Sequence, residues 1–319
     1  MSASEKTKLI AVVGPTASGK SALAAEIAKT IGGELAKQLG GEVISCDSMQ
    51  IYRGMDIGTA KPTAGEMSEV RHHLIDVCDP EQPFSCADYK PLAEGAISDI
   101  TSRGKIPVFC GGTGLYLDSV ISIPSFSPEV PEGIREELMS RSPEELWDEL
   151  LRVDPESAEK THKNNVKRVV RALEIYRGTG KTKTEWDRLS KETEPPYDTL
   201  IIGLDYLDRE ILYRRIGQRI GVMLESGLVD EVKRLGLPRG CNAAQAIGYK
   251  EIYLYLDGKA EYGEAVALLE KNTRNYAKRQ LTWFRRNKSI KWFYPDSPGA
   301  ENNLREIMRE INHHLYPDG

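Results

Sequence analysis

The chain of 319 residues has no apolar run approaching the roughly 18 residues that a membrane-spanning helix needs, so no membrane partner is expected. Its first residues, Met1 to Lys8, are short and polar, without the apolar centre of a secretory signal or the Arg-rich pattern of a transit peptide. Cysteine is sparse: Cys46, Cys78, Cys86, Cys110 and Cys241 are odd in number and form no CxxC pair. That spacing argues against a zinc ribbon and against a disulfide framework, and leaves reduced thiols in a cytoplasmic protein as the expectation. An excess of positive charge is also missing, since the net charge is −5. A non-specific nucleic-acid coat is thereby disfavoured, but a local basic surface is not, because net charge says little about distribution. With 40% hydrophobic and 29% charged residues, the composition is that of one large or two modest globular domains.

The charges are unevenly placed. Basic residues gather around 163–188 and 271–291, and acids around 132–159 and 225–231. The second basic segment holds Lys271, Arg274, Lys278, Arg279, Arg285, Arg286, Lys288 and Lys291 and contains no Asp or Glu.

Lys8 to Val13 is a short, β-branched apolar run closed by Gly14-Pro15, which reads as a buried parallel strand. Ser21 to Ala28 has helical composition, so the chain opens as strand, glycine turn and helix. Glu42 to Cys46, Ile106 to Cys110 and Thr199 to Leu204 are further strand candidates. They end at Asp47, Gly111-Gly112-Thr113 and Asp205, and in open α/β sheets such strand ends converge on a ligand. Ile27 to Glu34 is repeated almost unchanged as Leu35 to Glu42; two copies are too few for a solenoid, so a local duplication extending a surface helix–turn is expected. From about 127 to 194 the pattern turns helical and charged, punctuated by Pro131, Pro143 and Pro155. Helical patterns return over 209–235, 243–256 and 261–286.

Gly14-Pro15-Thr16-Ala17-Ser18-Gly19-Lys20-Ser21 fits G-x-x-x-x-G-K-[ST]. Its glycines let backbone amides cradle phosphate oxygens, Lys20 supplies a cation, and the Ser21 hydroxyl can hold magnesium. The helix N-terminus behind the loop adds a favourable dipole. Such a loop selects polyphosphate without saying which one. No strand of four aliphatics ends in the Asp of a Walker B, and neither a kinase catalytic loop nor a GTPase base-recognition tetrad is visible. His72-His73 has no third ligand at suitable spacing, so a solvated or core pair is expected there.

Three further stretches are specific. Asp47 to Pro62 (DSMQIYRGMDIGTAKP), Gly111 to Tyr116 (GGTGLY), and Gly248 to Glu251 (GYKE) with Thr273-Arg274 and Tyr276 to Phe284 (YAKRQLTWF) resemble the tRNA dimethylallyltransferase family, and with the phosphate loop they span 14 to 286. The resemblance implies an α/β fold with a P-loop NTPase-like parallel sheet core and an inserted all-helical subdomain. Its expected parts are a first core segment at 1–126, the insertion at 127–194, and core completion with RNA-binding helices at 195–319. It also implies transfer of a dimethylallyl group from dimethylallyl diphosphate, with Mg2+, to an adenosine beside the anticodon of tRNA. Residues after 291 hold no C-x₂-C…H-x₃₋₅-H pattern, and a bacterial-type enzyme acting as a monomer is expected.

By the same resemblance, Asp47 is the base, Thr113 faces the reacting groups and Arg135 lies near diphosphate and acceptor. Gly14 to Ser21 bind the diphosphate. The tRNA-contact segments are Asp47, Ser48, Met49 and Gln50; Lys167, Arg168, Val169, Val170 and Arg171; and Gln245, Ala246, Ile247, Gly248, Tyr249 and Lys250, while Arg274, Lys278, Arg279 and Arg285 stand in basic rows on a C-terminal helix and suit the RNA backbone by their own charge. Lys167 stands where the family has Gln, which keeps a phosphate contact but loses an amide acceptor. Gln50 has the amide needed to pair with an adenine edge. Residue by residue, simpler readings remain open: Asp47 as a cap, Thr113 as a turn residue, Arg135 as an ion-pair partner of Glu132 or Glu136. A free-adenylate prenyltransferase, a P-loop kinase and a catalytically silent RNA-binding protein stand as alternatives for the whole chain. The basic rows at 163–171 and 274–286 speak against the first.

Overall fold

A computed structural model of the chain describes residues 6–31, 40–122, 130–192 and 194–317. Its strands are β1 (Lys8–Val13), β2 (Gly41–Ser45), β3 (His72–His73), β4 (Ile106–Gly111), β5 (Asp198–Leu204) and β6 (Lys291–Phe293). They form one sheet in the order β3-β2-β4-β1-β5-β6, and every pairing is parallel. The four longer strands coincide with the apolar runs of the sequence. β3 and β6 are two and three residues long, below the length at which a periodic signal exists.

Helices α1 (Lys20–Thr30), α2 (Ala64–Glu69), α3 (Cys86–Ser102) and α4 (Gly114–Ile121) follow the early strands, and α5 (Ile134–Met139), α6 (Pro143–Val153), α7 (Pro155–Glu159), α8 (Val166–Thr179) and α9 (Lys183–Glu192) come next. The chain closes through α10 (Arg209–Glu225), α11 (Leu228–Leu235), α12 (Tyr249–Leu256), α13 (Tyr262–Phe284) and α14 (Asn303–Leu315). Pro143 and Pro155 each open a helix, where a missing N–H costs nothing, behind the caps Ser142 and Asp154. The helical stretch expected over 209–235 is two helices, because Gly227 takes φ 96° between α10 and α11.

Two compact units result, residues 1–118 with 197–319, and residues 119–196. In the first, Ile10, Val12, Val43 and Val108 of the sheet pack with Ala24 and Ile27 of α1 and Ile307 and Ile311 of α14. A second core gathers Ile51, Tyr52 and Met55 with apolar residues of α10 to α13, including Ile216, Val232, Tyr249 and Leu269. The second unit has its own core of Leu138, Leu146, Leu150, Ala158, Val169, Val170 and Leu173. Among the described residues no helix is long and apolar enough to cross a membrane.

The buried carboxylate of Glu42 accounts for His73, whereas His72 turns its Nδ1 to the Val70 carbonyl at 2.7 Å. The carboxylate accepts from both terminal nitrogens of Arg103 and from Lys105, and it meets Nε2 of His73 at 2.7 Å. Asp99 lies close enough to complete a possible metal cluster. Arg103 binds both carboxylates, however, so the anionic charge is already neutralised and the cluster is an ion-pair network. The duplicated segment falls largely on 32–39, outside the described residues; its last residue is Glu42 itself.

Candidate active site

The C-terminal ends of β1, β2, β4 and β5 converge in the first unit. Beyond β1 the backbone of Gly14 approaches β5 so closely that a Cβ would lie 2.5 Å from the Leu204 carbonyl oxygen. Gly19 takes φ 94° and starts α1. Ala17, a non-glycine at φ 64°, is in the left-handed region at a cost of about 1 kcal/mol. Arg215 of α10 holds it there, its Nε donating to the Ala17 carbonyl at 2.9 Å. A turn of this kind before a helix N-terminus favours an anion.

Lys20, 9% exposed, donates to the Pro15 carbonyl at 3.2 Å. Burial pushes its ammonium below the ordinary lysine value; Arg219 adds to that shift, and Cys110 and Asp47 oppose it. Arg219 of α10 is itself driven down by burial, with the Asp47 charge pulling the other way. No hydrogen bond or ion pair engages Arg219 among the described residues. Lys20, Ser21, Asp47 and Arg219 line a cavity of about 330 Å³, and Lys20, Ser21, Arg215 and Arg219 line an adjoining one of about 240 Å³. A buried lysine and a half-buried arginine, both lowered in basicity by burial and facing one cavity, form a site completed by an anion.

Asp47 follows β2. Its Oδ1 accepts the N–H of Met49 at 2.9 Å and of Gln50 at 3.4 Å, so one oxygen caps the turn. Thr113 Oγ1 accepts the N–H of Ser48 at 3.1 Å and donates to Ser48 Oγ at 3.3 Å. The Thr113 N–H reaches the Cys46 carbonyl at 3.1 Å. Thus the base candidate and Thr113 are tied through two adjacent strand ends. Burial, and then the Asp47 charge, raise the phenol of Tyr276 on α13 well above the ordinary tyrosine value.

The other residues that the sequence pointed to divide by what they touch. The Gln50 amide donates to the carbonyls of Thr59 (3.3 Å) and Ala60 (3.2 Å), and its oxygen accepts from Ser45 (3.0 Å), so its adenine-matching groups are paired internally. Ser48, Met49, Gln245, Ala246, Ile247, Gly248, Lys250 and Arg279 line the larger cavity. Tyr249 does not face outward: it is fully buried and its hydroxyl donates to Glu231 at 2.6 Å. Glu231 also accepts the N–H groups of Asp56, Ile57 and Gly58, at 3.0, 2.8 and 3.1 Å, and so shapes the loop that carries Thr59 and Ala60.

On α13, Ala277, Leu281 and Phe284 are buried, and Lys278 and Arg279 are exposed. Arg274 pairs with Glu270, and its Nε is buried without a partner. Arg285 is not a free basic group; it donates at 2.8 Å to Asp205, a wholly buried carboxylate that also takes a bidentate bond from Arg209. In the second unit Lys167 and Arg168 are exposed, and Arg171 pairs with Glu174. Val169 and Val170 are 1% and 0% exposed, so their side chains serve the core and offer RNA nothing. Arg135 pairs with Glu174 at 3.2 Å, rather than with Glu132 or Glu136.

Arg215, Arg219, Tyr276 and Glu231 were not singled out by sequence. The arginines sit four apart on α10, a spacing that places them on one helix face, but nothing local connects that face to a phosphate loop some 200 residues earlier.

Comparison with known proteins gives a consistent picture. A family model described as IPP transferase matches residues 50–287, and one described as Isopentenyl transferase matches residues 7–80. A tRNA dimethylallyltransferase of Anoxybacillus flavithermus is 47% identical over 309 residues, covering 95% of this chain and 96% of that protein. The crystal structure of a full-length tRNA isopentenylpyrophosphate transferase from Bacillus halodurans is similar with TM-score 0.71 and 44% identity, covering 97% of each chain. A eukaryotic dimethylallyltransferase captured acting on tRNA is similar with TM-score 0.80 and 29% identity, over 96% of this chain and 78% of that one.

Proposed function

Because the chain belongs to the tRNA dimethylallyltransferases, we propose that it moves a dimethylallyl group from dimethylallyl diphosphate to the exocyclic N6 of the adenosine 3′ of the anticodon in tRNA. The observation that carries the residue-level reading is the cavity shared by Lys20, Ser21, Arg219 and Asp47. Its cationic side suits a diphosphate, and its carboxylate suits the proton of an attacking amine.

In this reading the adenine is turned out of its stack to reach the strand ends. The N6 lone pair forms a bond to the allylic carbon. The carbon–oxygen bond to diphosphate breaks, and its electron pair leaves with the diphosphate. Lys20, Arg219 and the amides of residues 14–21 stabilise that growing negative charge. The proton lost from N6 passes to Asp47 Oδ2, while Oδ1 stays bound to the amides of Met49 and Gln50 and so orients the carboxylate. Thr113 fixes the Ser48 end of the same turn. The Ser21 hydroxyl is a hard oxygen donor on the same cavity, which fits magnesium; when bound, that ion would offset the charge of the diphosphate. Lys278, Arg279, Lys167 and Arg168, all exposed, are assigned to the RNA backbone.

The test is transfer of labelled dimethylallyl to an anticodon stem-loop with consecutive adenosines, with adenosine monophosphate as competing acceptor and Asp47→Ala as control. Label in the stem-loop alone, lost in the control, is expected. Label in the mononucleotide would replace the tRNA reading with a free-nucleotide one. No label in either would overturn the enzyme reading.

A further inference from the structure

Gln280 lies on α13 two residues beyond the exposed Lys278, yet it is only 5% exposed. Both ends of its carboxamide are used. Oε1 accepts the N–H of Thr16 at 2.9 Å, and Nε2 donates to the Gly112 carbonyl at 3.0 Å. Thr16 belongs to the phosphate loop after β1. Gly112 follows β4 and precedes Thr113, which holds the turn beginning at Asp47. The β1–β4 pairing ends at Val13 and Gly111, and no backbone hydrogen bond joins 14–19 to 112–114 among the described residues. Past the end of the sheet, Gln280 bridges the two loops.

The fit at Gly112 is tight. A Cβ there would lie 2.0 Å from Gln280 Nε2, so a side chain at 112 displaces the amide of residue 280 from its bonded position. Only a carboxamide satisfies both loops. A carboxylate accepts from Thr16 but has no proton for the Gly112 oxygen, and an aliphatic chain leaves both backbone groups unpaired.

We propose that Gln280, which lines the same cavity, is a positioning residue for the transfer reaction: with both ends of its carboxamide bonded to backbone, it sets the separation between the diphosphate loop and the Asp47–Thr113 side. This rests on the functional reading above. Losing the bridge lets the two halves drift while each keeps its own binding groups. A misplacement of about 1 Å lowers rate on the order of 100-fold.

The experiment measures kcat, the donor KM and the stem-loop Kd for the full chain, for Gln280→Ala, Gln280→Glu and Gly112→Ala, and for the Gly112→Ala/Gln280→Ala double variant. Near-ultraviolet circular dichroism and calorimetric binding of inorganic pyrophosphate report folding and an intact phosphate loop. The expected result is a kcat lower by on the order of 100-fold in each single variant, with KM and Kd within about threefold. The double variant should be no slower than Gln280→Ala, because removing the amide makes room for the new methyl group. The inference is overturned if kcat is unchanged, if the loss lies in KM or follows unfolding, or if the two single losses multiply. Indifferent variants of an active chain sink this inference alone, whereas an inactive unsubstituted chain sinks the functional reading with it.

Discussion

Replacing Arg219 with Met should weaken diphosphate binding while leaving the empty protein as stable as before, or more so. The guanidinium is half-buried beside Lys20, burial holds its basicity down, and no ion pair among the described residues compensates it. Met keeps an unbranched stem on the cavity wall beside Ile216 and Ile220 and removes the charge. Exchanging buried charge for an apolar group of similar volume is often neutral or stabilising by about 1 kcal/mol or more. For a chain of this size that gain raises the unfolding midpoint by about 2 °C. A charge-assisted bond from Arg219 to a phosphate oxygen is worth about 1.5–3 kcal/mol. Since each 1.4 kcal/mol is tenfold in affinity, pyrophosphate should bind about 10- to 150-fold more weakly. Differential scanning calorimetry without ligand and isothermal titration with magnesium pyrophosphate measure the two effects on one sample. A midpoint several degrees lower with unchanged affinity would refute the reasoning, and would make Arg219 a structural residue.

Glu42→Leu strands the charges of Arg103 and Lys105, but both are partly exposed and can turn to solvent, so about 2–3 kcal/mol of lost stability is expected in urea unfolding at pH 7. Arg103, more than Lys105 and His73, holds the Glu42 carboxyl well below the usual range. Its stabilisation is therefore complete above the ordinary glutamate value near 4.3 and is lost as pH falls toward the depressed folded value; the gap between wild type and Glu42→Gln should shrink from pH 6 to pH 3. Glu231→Leu removes the acceptor of three loop amides and the Tyr249 hydroxyl and should cost about 3 kcal/mol or more, with hydrogen exchange of residues 56–58 rising first. Lys278→Ala should weaken stem-loop binding and lower the salt slope by about 1, whereas Arg285→Ala should leave the slope alone and lower the unfolding midpoint, because its charge is spent on Asp205. Equal salt slopes for those two variants would contradict the assignment.

The phosphate loop and the four long strands were legible because their signals are local. A glycine turn after a β-branched run, with Lys and Ser next, states its own geometry within eight residues. Asp47 and Thr113 were legible as strand ends, and the basic segments as composition. Their side-chain partners were not. Val169 and Val170 stand among basic residues in sequence, but the 3.6-residue period turns them into the core of the second unit. Arg285 lies in an uninterrupted basic run, and only the return of β5 beside α13 supplies the buried Asp205 that claims it. Tyr249 has the polar tip of an RNA contact, yet Glu231, 18 residues earlier, takes its hydroxyl indoors.

By itself, then, the sequence determined what each segment is built to hold: polyphosphate at 14–21, a carboxylate and a threonine at strand ends, and basic charge on helices. Tertiary structure alone decided which of those groups face one another. Arg219 reaches the phosphate loop across some 200 residues, and Gln280 ties that loop to Gly112 across the end of the sheet. The physical reason is range. Turn chemistry and periodicity act over a few residues, whereas ion pairing, burial and hydrogen-bond satisfaction are settled only when distant elements close on each other and exclude water.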